Sequence, residues 1–268
     1  MIQHSALRTL LFLACLSVAA VAQAQTQAPA KPFEPQVGQA GKDVVWVPTP
    51  QALVDKMLDM AKLTPQDFLM DLGSGDGRTV ITAAKRGARA LGIEYNPDMV
   101  ELAKRNAAEA KVSDRATFEK ADLFETDLSK AQVITMFLLP SINMKLRPKL
   151  LELKPGTRIV SNSFTMEDWT ADETSNVTEN CQSWCTALLW IVPAKVEGSW
   201  QTPQGELKLA QVFQMLSGTL GGAVISDARV RGDQVMFSAG GVRYTGTVAG
   251  NTIKGNAADG AAWSATKK

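Results

Sequence analysis

Apolar and polar positions follow two rhythms along residues 46–195. Short apolar runs typical of buried strands, such as FLMDL, ALGIEY and QVITMFLL, are each followed by a segment whose apolar residues lie three or four positions apart, as in amphipathic helices. Turn sequences NPD, VSD and KPG separate these segments. This βαβα order predicts an α/β domain with a parallel sheet covered by helices. VTEN and TALLWIVPA predict a closing pair of strands.

The segment before this domain has a different composition. Residues 25–45 are rich in Pro, Gln and Ala, which predicts a linker. Thr49 followed by Pro50 then predicts the start of the first helix, with Thr49 as its cap and Pro50 at its first helical position.

The pattern changes again after about residue 196. Twelve of the 20 glycines lie in 198–268, and short β-type runs there alternate with glycine turns. Gly232–Val235 recurs in similar form as Gly250–Ile253, which is typical of successive hairpins. Residues 196–268 therefore predict a C-terminal antiparallel β-module, a meander or half-barrel of about four to six strands. We expect Trp200 and Trp263 to be packing residues of this module.

The most informative motif is FLMDLGSGDGR at residues 68–78, where a strand leads through alternating glycines into a helix. Glycine lets the backbone turn sharply and lets a ligand approach with no Cβ in the way. Dinucleotide-binding loops have the spacing G-x-G-x-x-G and place a pyrophosphate at the helix N-terminus. Here the spacing is G-x-G-x-G, and Asp71 stands two residues before the first glycine. A carboxylate there would repel a pyrophosphate but suits the sulfonium and ammonium groups of S-adenosylmethionine (AdoMet).

Two further acids follow at the ends of the next predicted strands. Glu94 lies about twenty residues after the glycines, where an acid reaches ribose hydroxyls. Asp122 can accept a hydrogen bond from the adenine amino group, and Leu123 can pack on its ring. Because the carboxyl ends of parallel strands share one edge of the sheet, we assign one AdoMet site to these residues. Its members are Asp71, Gly73, Ser74, Gly75, Asp76, Gly77, Glu94, Asp122 and Leu123.

Composition narrows the possible partners and chemistry. A net charge of +1 gives no reason to expect nucleic acid or an anionic membrane. The one histidine, His4, lies in the predicted targeting segment, so the processed chain would have none. This excludes Ser-His-Asp and Cys-His catalysis and any zinc site that uses histidine, and we expect no metal.

The N-terminus predicts an export signal. After MIQHSALRT comes LLFLACLSVAAVA, a run of thirteen residues that is too short for a comfortable transmembrane helix. We expect cleavage after Ala24, a periplasmic protein and no transmembrane helix afterwards; the alternative is an uncleaved membrane anchor. In an oxidising compartment Cys181 and Cys185 could form a disulfide, and otherwise they would remain free thiols.

The segments DLGSGDGR, GIEYNPDMVELAKRNA, DLFETDLSKAQVITMFLLP and LKPGTRIVSNSFTMEDW, within residues 46–170, resemble a family of class I AdoMet-dependent methyltransferases. That family includes the mitochondrial enzymes that methylate lysines of the ATP synthase c-ring protein and of the adenine nucleotide translocator, together with bacterial relatives. The resemblance implies a Rossmann-like sheet of seven strands and AdoMet bound at the residues assigned above. It also implies that Trp46–Pro50 and Phe137–Pro140 border the acceptor pocket.

Methyl transfer requires mainly that acceptor, methyl and sulfur be aligned, so the lack of histidine is no obstacle. Trp46, Phe137 and Phe164 could hold a methylated ammonium by cation–π contact, and Asn162 is a candidate polar contact. No side chain stands out as a general base. The sequence leaves three hypotheses: a methyltransferase acting on an amine, such as a protein lysine, or on a small molecule; an exported AdoMet-binding protein without catalysis; and an envelope interaction protein.

Overall fold

The computed structural model describes residues 33–268. The predicted signal peptide, residues 1–24, and the predicted linker up to residue 32 lie outside the described residues. Within 33–268, no helix is both long enough and apolar enough to cross a membrane.

The first part of the described chain alternates strands and helices. In chain order the elements are α1 (Gln51–Met60), β1 (Phe68–Leu72), α2 (Arg78–Lys85), β2 (Arg89–Glu94), α3 (Pro97–Glu109), β3 (Ala116–Lys120), β4 (Val133–Met136), α4 (Pro140–Leu151), β5 (Arg158–Asn162), β6 (Glu173–Asn176) and β7 (Thr186–Ile191). The strands form one sheet in the order β3-β2-β1-β4-β5-β7-β6. Only β7 is reversed, pairing antiparallel with β5 and β6. The predicted seven-stranded methyltransferase sheet is confirmed.

Both faces of this sheet are covered, which explains why its central strands read as nearly continuous apolar runs. Helices α1, α2 and α3 cover one face through buried residues such as Leu53, Val80 and Val100. Helix α4 covers the other face, together with the fully buried Trp169 and Trp190.

Two local predictions were wrong. Helix α1 begins at Gln51, because Pro50 is an extended N-cap residue with ψ of 138°, and no side chain caps the helix. The Thr49 hydroxyl instead accepts a hydrogen bond from the Asn162 amide nitrogen at 3.3 Å. The first strand of the closing pair is β6 rather than VTEN at 177–180. Because β6 (ETSN) is a largely exposed edge strand, it carries no apolar pattern that the sequence could reveal.

The C-terminal part is a closed antiparallel barrel of eight strands. These are β8 (Gly198–Thr202), β9 (Gly205–Val212), β10 (Met215–Leu220), β11 (Ala223–Arg231), β12 (Gln234–Ala239), β13 (Val242–Ala249), β14 (Thr252–Ala257) and β15 (Ala262–Lys267). The antiparallel module is confirmed, but the expected four to six strands were too few. The glycine turns separate strands of only five to nine residues, several of which are too short to register as apolar runs.

The barrel interior is aromatic. Phe237 and Tyr244 stack with centroids 5.1 Å apart, and Trp263 meets both rings edge-on. Trp200 and Trp263 are 0% and 4% exposed, so their predicted packing role is confirmed. The repeated Gly232 and Gly250 both have positive φ and lie in the tight turns between β11 and β12 and between β13 and β14.

The barrel packs against the segment that connects β5 to β6. Phe213 of the barrel stacks on Trp169 with centroids 5.9 Å apart and an interplanar angle of 18°. The Gln214 side-chain amide donates to the carbonyl oxygen of Thr170 at 2.7 Å.

Ion pairs extend the same contact. Arg229 donates to Asp172 at 2.9 Å, and the carboxylate of Asp172 is fully buried. Arg231 pairs with Glu173, the first residue of β6. The barrel therefore supports residues 169–173 and through them the start of β6.

Candidate active site

The candidate site lies at the carboxyl ends of the strands, beside the point where strand order reverses. β1 pairs with β2 on one side and with β4 on the other, and the loop after β1 opens into the crevice between them. Ligands of open α/β sheets bind at this position. A pocket there is lined by residues from the ends of β1, β2 and β4, by residues that follow β3, and by the chain that precedes α1.

The three loop glycines each need their lack of a side chain. Gly73, Gly75 and Gly77 have φ of 77°, 53° and 83°, a conformation that L side chains rarely adopt. A Cβ on Gly75 would also lie 2.7 Å from the Trp46 indole nitrogen. The backbone N–H groups of Gly73 and Ser74 both donate to the carbonyl oxygen of Ile93, which fixes the loop against β2.

Asp71 is the most perturbed charge in the pocket. It is 6% exposed and accepts a hydrogen bond of 2.6 Å from the Thr135 hydroxyl. Burial raises its pKa to about 7; the Thr135 bond opposes that shift, and the negative charges of Asp76 and Glu94 add to it. A cation bound nearby would favour the ionised carboxylate and lower this pKa.

The other two acids of the loop region are held in place. Glu94 accepts hydrogen bonds from the backbone N–H of Gly75 at 3.0 Å and of Asn96 at 2.9 Å. Asp76 forms a two-pronged pair with Arg78, whose guanidinium also donates to the carbonyl oxygen of Thr49. Both carboxylates are therefore oriented before any ligand binds.

Asp122 faces a residue that sequence reasoning missed. The Lys42 ammonium lies 2.6 Å from its carboxylate and 4.7 Å from the centre of the Tyr95 ring. This hydrogen bond holds the pKa of Asp122 below its ordinary value and raises the pKa of Lys42. The backbone N–H of Phe124 donates to the same carboxylate at 2.9 Å.

Lys42 belongs to the predicted linker, but this part of the linker is folded. Backbone hydrogen bonds join Gly38 to Trp46 and Trp46 to Gln39, so residues 38–46 form a turn, and residues 39–45 are part of the pocket wall. The Pro/Gln/Ala-rich composition gave no sign of this. Tyr95 and Met99 also line the pocket and were missed, although their positions next to Glu94 and in the first turn of α3 could have indicated them.

The residues present fit AdoMet. Among the described residues, five carboxylates and two basic side chains line the pocket, which suits a ligand with two positive centres. The Ser74 hydroxyl is buried with no hydrogen-bond partner and would gain one from a polar ligand. All predicted cofactor residues line the pocket except Gly77, the N-cap residue of α2. A Cβ on Gly77 would lie 2.7 Å from the Phe118 ring.

Only two of the four predicted acceptor residues line the pocket. Trp46 and Phe137 line the pocket. Pro140 begins α4 outside the lining, and Asn162 is fully buried behind it, bonded to Thr49 and Ser163. Asn162 thus supports the chain that carries Trp46 rather than facing a ligand.

Comparison with known proteins gives a consistent result. A family model described as "ANTKMT methyltransferase domain" matches residues 71–173. A protein-lysine N-methyltransferase of Saccharolobus islandicus is 45% identical over 152 residues, which are 56% of this chain and 94% of that protein. The adenine nucleotide translocase lysine N-methyltransferase of Mus musculus is 37% identical over 118 residues, 43% of this chain and 51% of that protein.

A crystal structure described as an RNA methyltransferase from Salinibacter ruber, in complex with S-adenosyl-L-homocysteine (AdoHcy), is also similar. It is 48% identical, has a TM-score of 0.53, and aligns over 56% of this chain and 96% of that one. The chain thus spans nearly all of the Salinibacter ruber protein and of the Saccharolobus islandicus protein, but only 51% of the length of the mouse protein.

Proposed function

We propose that this chain, which belongs to the ANTKMT family of class I AdoMet-dependent methyltransferases, transfers methyl groups to the side-chain amine of lysine in a protein. The chain is an AdoMet-dependent methyltransferase. The observation that carries the lysine acceptor is the 45% identity with an archaeal protein-lysine N-methyltransferase across 94% of that protein's length.

The chain's residues supply binding and alignment. AdoMet, when bound, supplies an electrophilic methyl group on a sulfonium. Asp71 and Asp76 provide negative charge that would hold its cationic centres, Glu94 would reach the ribose hydroxyls, and Asp122 and Leu123 would receive the adenine. Fixing the cofactor against a rigid glycine loop lets an acceptor approach in line with the methyl–sulfur bond, which is the main source of rate enhancement in such a displacement.

A lysine acceptor must lose a proton before it can attack. With an ordinary pKa of about 10.4, neutralising it at pH 7 costs roughly 4–5 kcal/mol. The wall formed by Met136, Phe137 and Leu138 at the end of β4 is apolar, and an apolar surrounding lowers the pKa of an amine because it disfavours the charged form. The acceptor amine would give its proton to bulk water before it enters the pocket in its neutral form, so no side chain is required as a dedicated base.

RNA is the competing acceptor, because the similar Salinibacter ruber structure is described as an RNA methyltransferase. Charge favours protein over RNA: the net charge is +1, and five of the seven charged residues lining the pocket are acidic. A phosphate backbone requires clustered basic side chains.

The test is a transfer assay with methyl-labelled AdoMet and a bacterial extract, divided into samples treated with nuclease or with protease. We expect label that resists nuclease and that appears as methylated lysine after acid hydrolysis. An Asp71→Asn variant is the negative control. Label lost with nuclease and absent from lysine would reject the proposal.

We further propose that the protein is exported. The apolar run before Ala24 supports this, as does the disulfide that joins Cys181 to Cys185, a bond typical of oxidising compartments. Mass spectrometry of the protein from intact cells should show Gln25 as its first residue. Recovery of Met1 on a cytosolic protein would contradict export.

A further inference from the structure

Phe137 lies between the cofactor pocket and a group of aromatic rings beside it. It lines the cofactor pocket, and on its other side it contacts two aromatic rings that do not line that pocket. Its ring stacks on Phe164 with centroids 5.9 Å apart, and Trp184 lies 5.8 Å from Phe137 and 5.2 Å from Phe164. We call Phe137, Phe164 and Trp184 the aromatic cluster. It adjoins the cofactor pocket at the end of β4.

Trp184 is held in the cluster by its loop. It lies between β6 and β7, next to the Cys181–Cys185 disulfide, which closes five residues into a ring. Its φ of 57° is unusual for a bulky residue and requires such a constraint. Nevertheless its side chain is 44% exposed, whereas four of the other five tryptophans are buried. The chain thus fixes a large aromatic ring in contact with solvent.

Phe164 is also fixed. Its carbonyl oxygen accepts a hydrogen bond from the Ser161 hydroxyl at 2.8 Å and one from the Asn143 amide at 3.3 Å. These bonds come from the end of β5 and from α4, two elements of the sheet domain. The backbone that carries the second ring of the cluster is therefore held in place.

The surrounding chain is acidic. Residues 162–185 contain five acidic side chains and no Lys, Arg or His. Asp168, Asp172 and Glu173 are paired with arginines, while Glu167 and Glu179 enter no ion pair within the described part of the chain. Aromatic faces in an acidic setting attract an alkylammonium group and disfavour phosphate.

We propose that the aromatic cluster binds the side chain of the acceptor lysine, with Trp184 as the outer wall and Phe137 as the ring shared with the cofactor pocket. This inference rests on the proposed function. The exposed face of Trp184 would pack against the aliphatic stem, and Phe137, where it lines the cofactor pocket, would hold the ammonium or its methylated product by cation–π contact. The disulfide is the positioning device that keeps Trp184 over the other two rings.

The experiment measures binding without turnover, on the full chain saturated with AdoHcy. The probes are Nα-acetyl-lysine methylamide, its Nε-trimethyl form and the uncharged norleucine analogue, followed by the NMR signal of the Trp184 indole N–H. We expect both charged probes to shift this signal saturably and the norleucine analogue to bind more weakly. Trp184→Ala, followed on other signals, should raise Kd for the trimethyl probe by about three- to thirtyfold. Trp184→Phe should retain most of the affinity.

Val224→Ala is the matched control, because Val224 is another exposed apolar side chain, 77% exposed on the barrel. It should leave the Kd for every probe unchanged, and AdoHcy affinity should stay within twofold in all variants. The double variant Cys181→Ser, Cys185→Ser should weaken probe binding in the same direction as Trp184→Ala.

Two results overturn the inference in distinguishable ways. If the label in the transfer assay resides on lysine but Trp184→Ala and Trp184→Phe bind the probes and turn over acceptor like the parent chain, the cluster has no role and the proposed function stands. If the label resides on RNA, the proposed function and this inference fail together.

Discussion

The cofactor side and the acceptor side of the pocket are built differently. Most of the cofactor side comes from residues 71–99, where one loop and two strand ends fold next to each other. The proposed acceptor side combines Trp46 and Phe137 of the pocket with Phe164 and Trp184 of the adjoining aromatic cluster, from four distant parts of the chain. One side is a local motif, and the other exists only after the whole sheet has formed.

The two sides also differ in their relation to the barrel. The segment after Phe164 rests on the barrel through Trp169, Thr170, Asp172 and Glu173. Within the described residues, the loop residues Asp71–Gly77 form no hydrogen bond or ion pair with the barrel. The barrel should therefore matter for the acceptor and much less for AdoMet.

The largest effect should come from removing the barrel. A chain that ends at Lys195 should bind AdoHcy within about tenfold of the full chain. Its acceptor turnover should fall by about a hundredfold, because loss of Phe213 and Arg229 frees the segment that positions Phe164 and the disulfide loop. Calorimetry and the transfer assay measure the two quantities.

A full-length double variant, Arg229→Ala with Arg231→Ala, keeps this test decisive if the short chain is insoluble. It should lose acceptor turnover and keep AdoHcy affinity, as the short chain does, but the loss of turnover should be smaller. Equal losses of AdoHcy binding and turnover would mean that the barrel supports both sides and that the comparison is wrong.

The second effect isolates the cofactor side. Asp71→Asn keeps the shape and can still accept the Thr135 hydrogen bond, but it removes the negative charge. AdoMet affinity should fall by about 1–3 kcal/mol. Thermal stability should not fall, since a buried carboxylate with no cation beside it costs free energy in the ligand-free protein. Thr82→Ser, at a partly exposed position of α2, should change neither affinity nor stability measurably. Unchanged affinity in Asp71→Asn would reject the assignment.

These two predictions reflect what could be predicted from the sequence. The glycine loop, Glu94 and Asp122 could be predicted to meet at one pocket because each follows an apolar strand at a recognisable spacing. Trp184 was not, because only the pairing of β7 with β5 and the closure of the disulfide bring it to Phe137, 47 positions earlier. Asn162 does not line the pocket for a different reason: a strand-end position does not say whether a side chain faces the pocket or the packed chain behind it.

The third prediction concerns pH. In the ligand-free protein Asp71 has a pKa of about 7, raised above its unfolded value, so the folded state holds an extra proton between about pH 4 and 7. The stability that this proton contributes is present at low pH and is lost as pH rises through 7. An ammonium group that binds beside Asp71 needs the ionised carboxylate, so AdoHcy affinity should increase with pH, by at most about tenfold per unit below pH 7, and then level off.

Calorimetric titration of AdoHcy between pH 5.5 and 8.5 measures this dependence. Asp71→Asn should flatten the profile, whereas an unrelated acidic change on the barrel, Asp259→Asn, should leave it intact. A flat profile in the parent chain would mean that Asp71 does not face the ligand's ammonium.

The smallest change in AdoHcy affinity is expected from a substitution of Lys42, in the folded part of the predicted linker. Lys42 forms an ion pair with the carboxylate of Asp122, and this pair is partly exposed to solvent. The adenine amino group would donate a hydrogen bond to the same carboxylate. Exposed ion pairs contribute little, so Lys42→Met should change AdoHcy affinity by only about twofold, in the direction of tighter binding, because it frees Asp122. The change should shrink at high salt, since screening already weakens the pair. Lys104→Met, which breaks another exposed pair on α3, should have no effect on AdoHcy affinity. If Lys42→Met instead weakens binding tenfold, Lys42 contacts the cofactor directly, and the cofactor side extends beyond the local motif into the chain before α1.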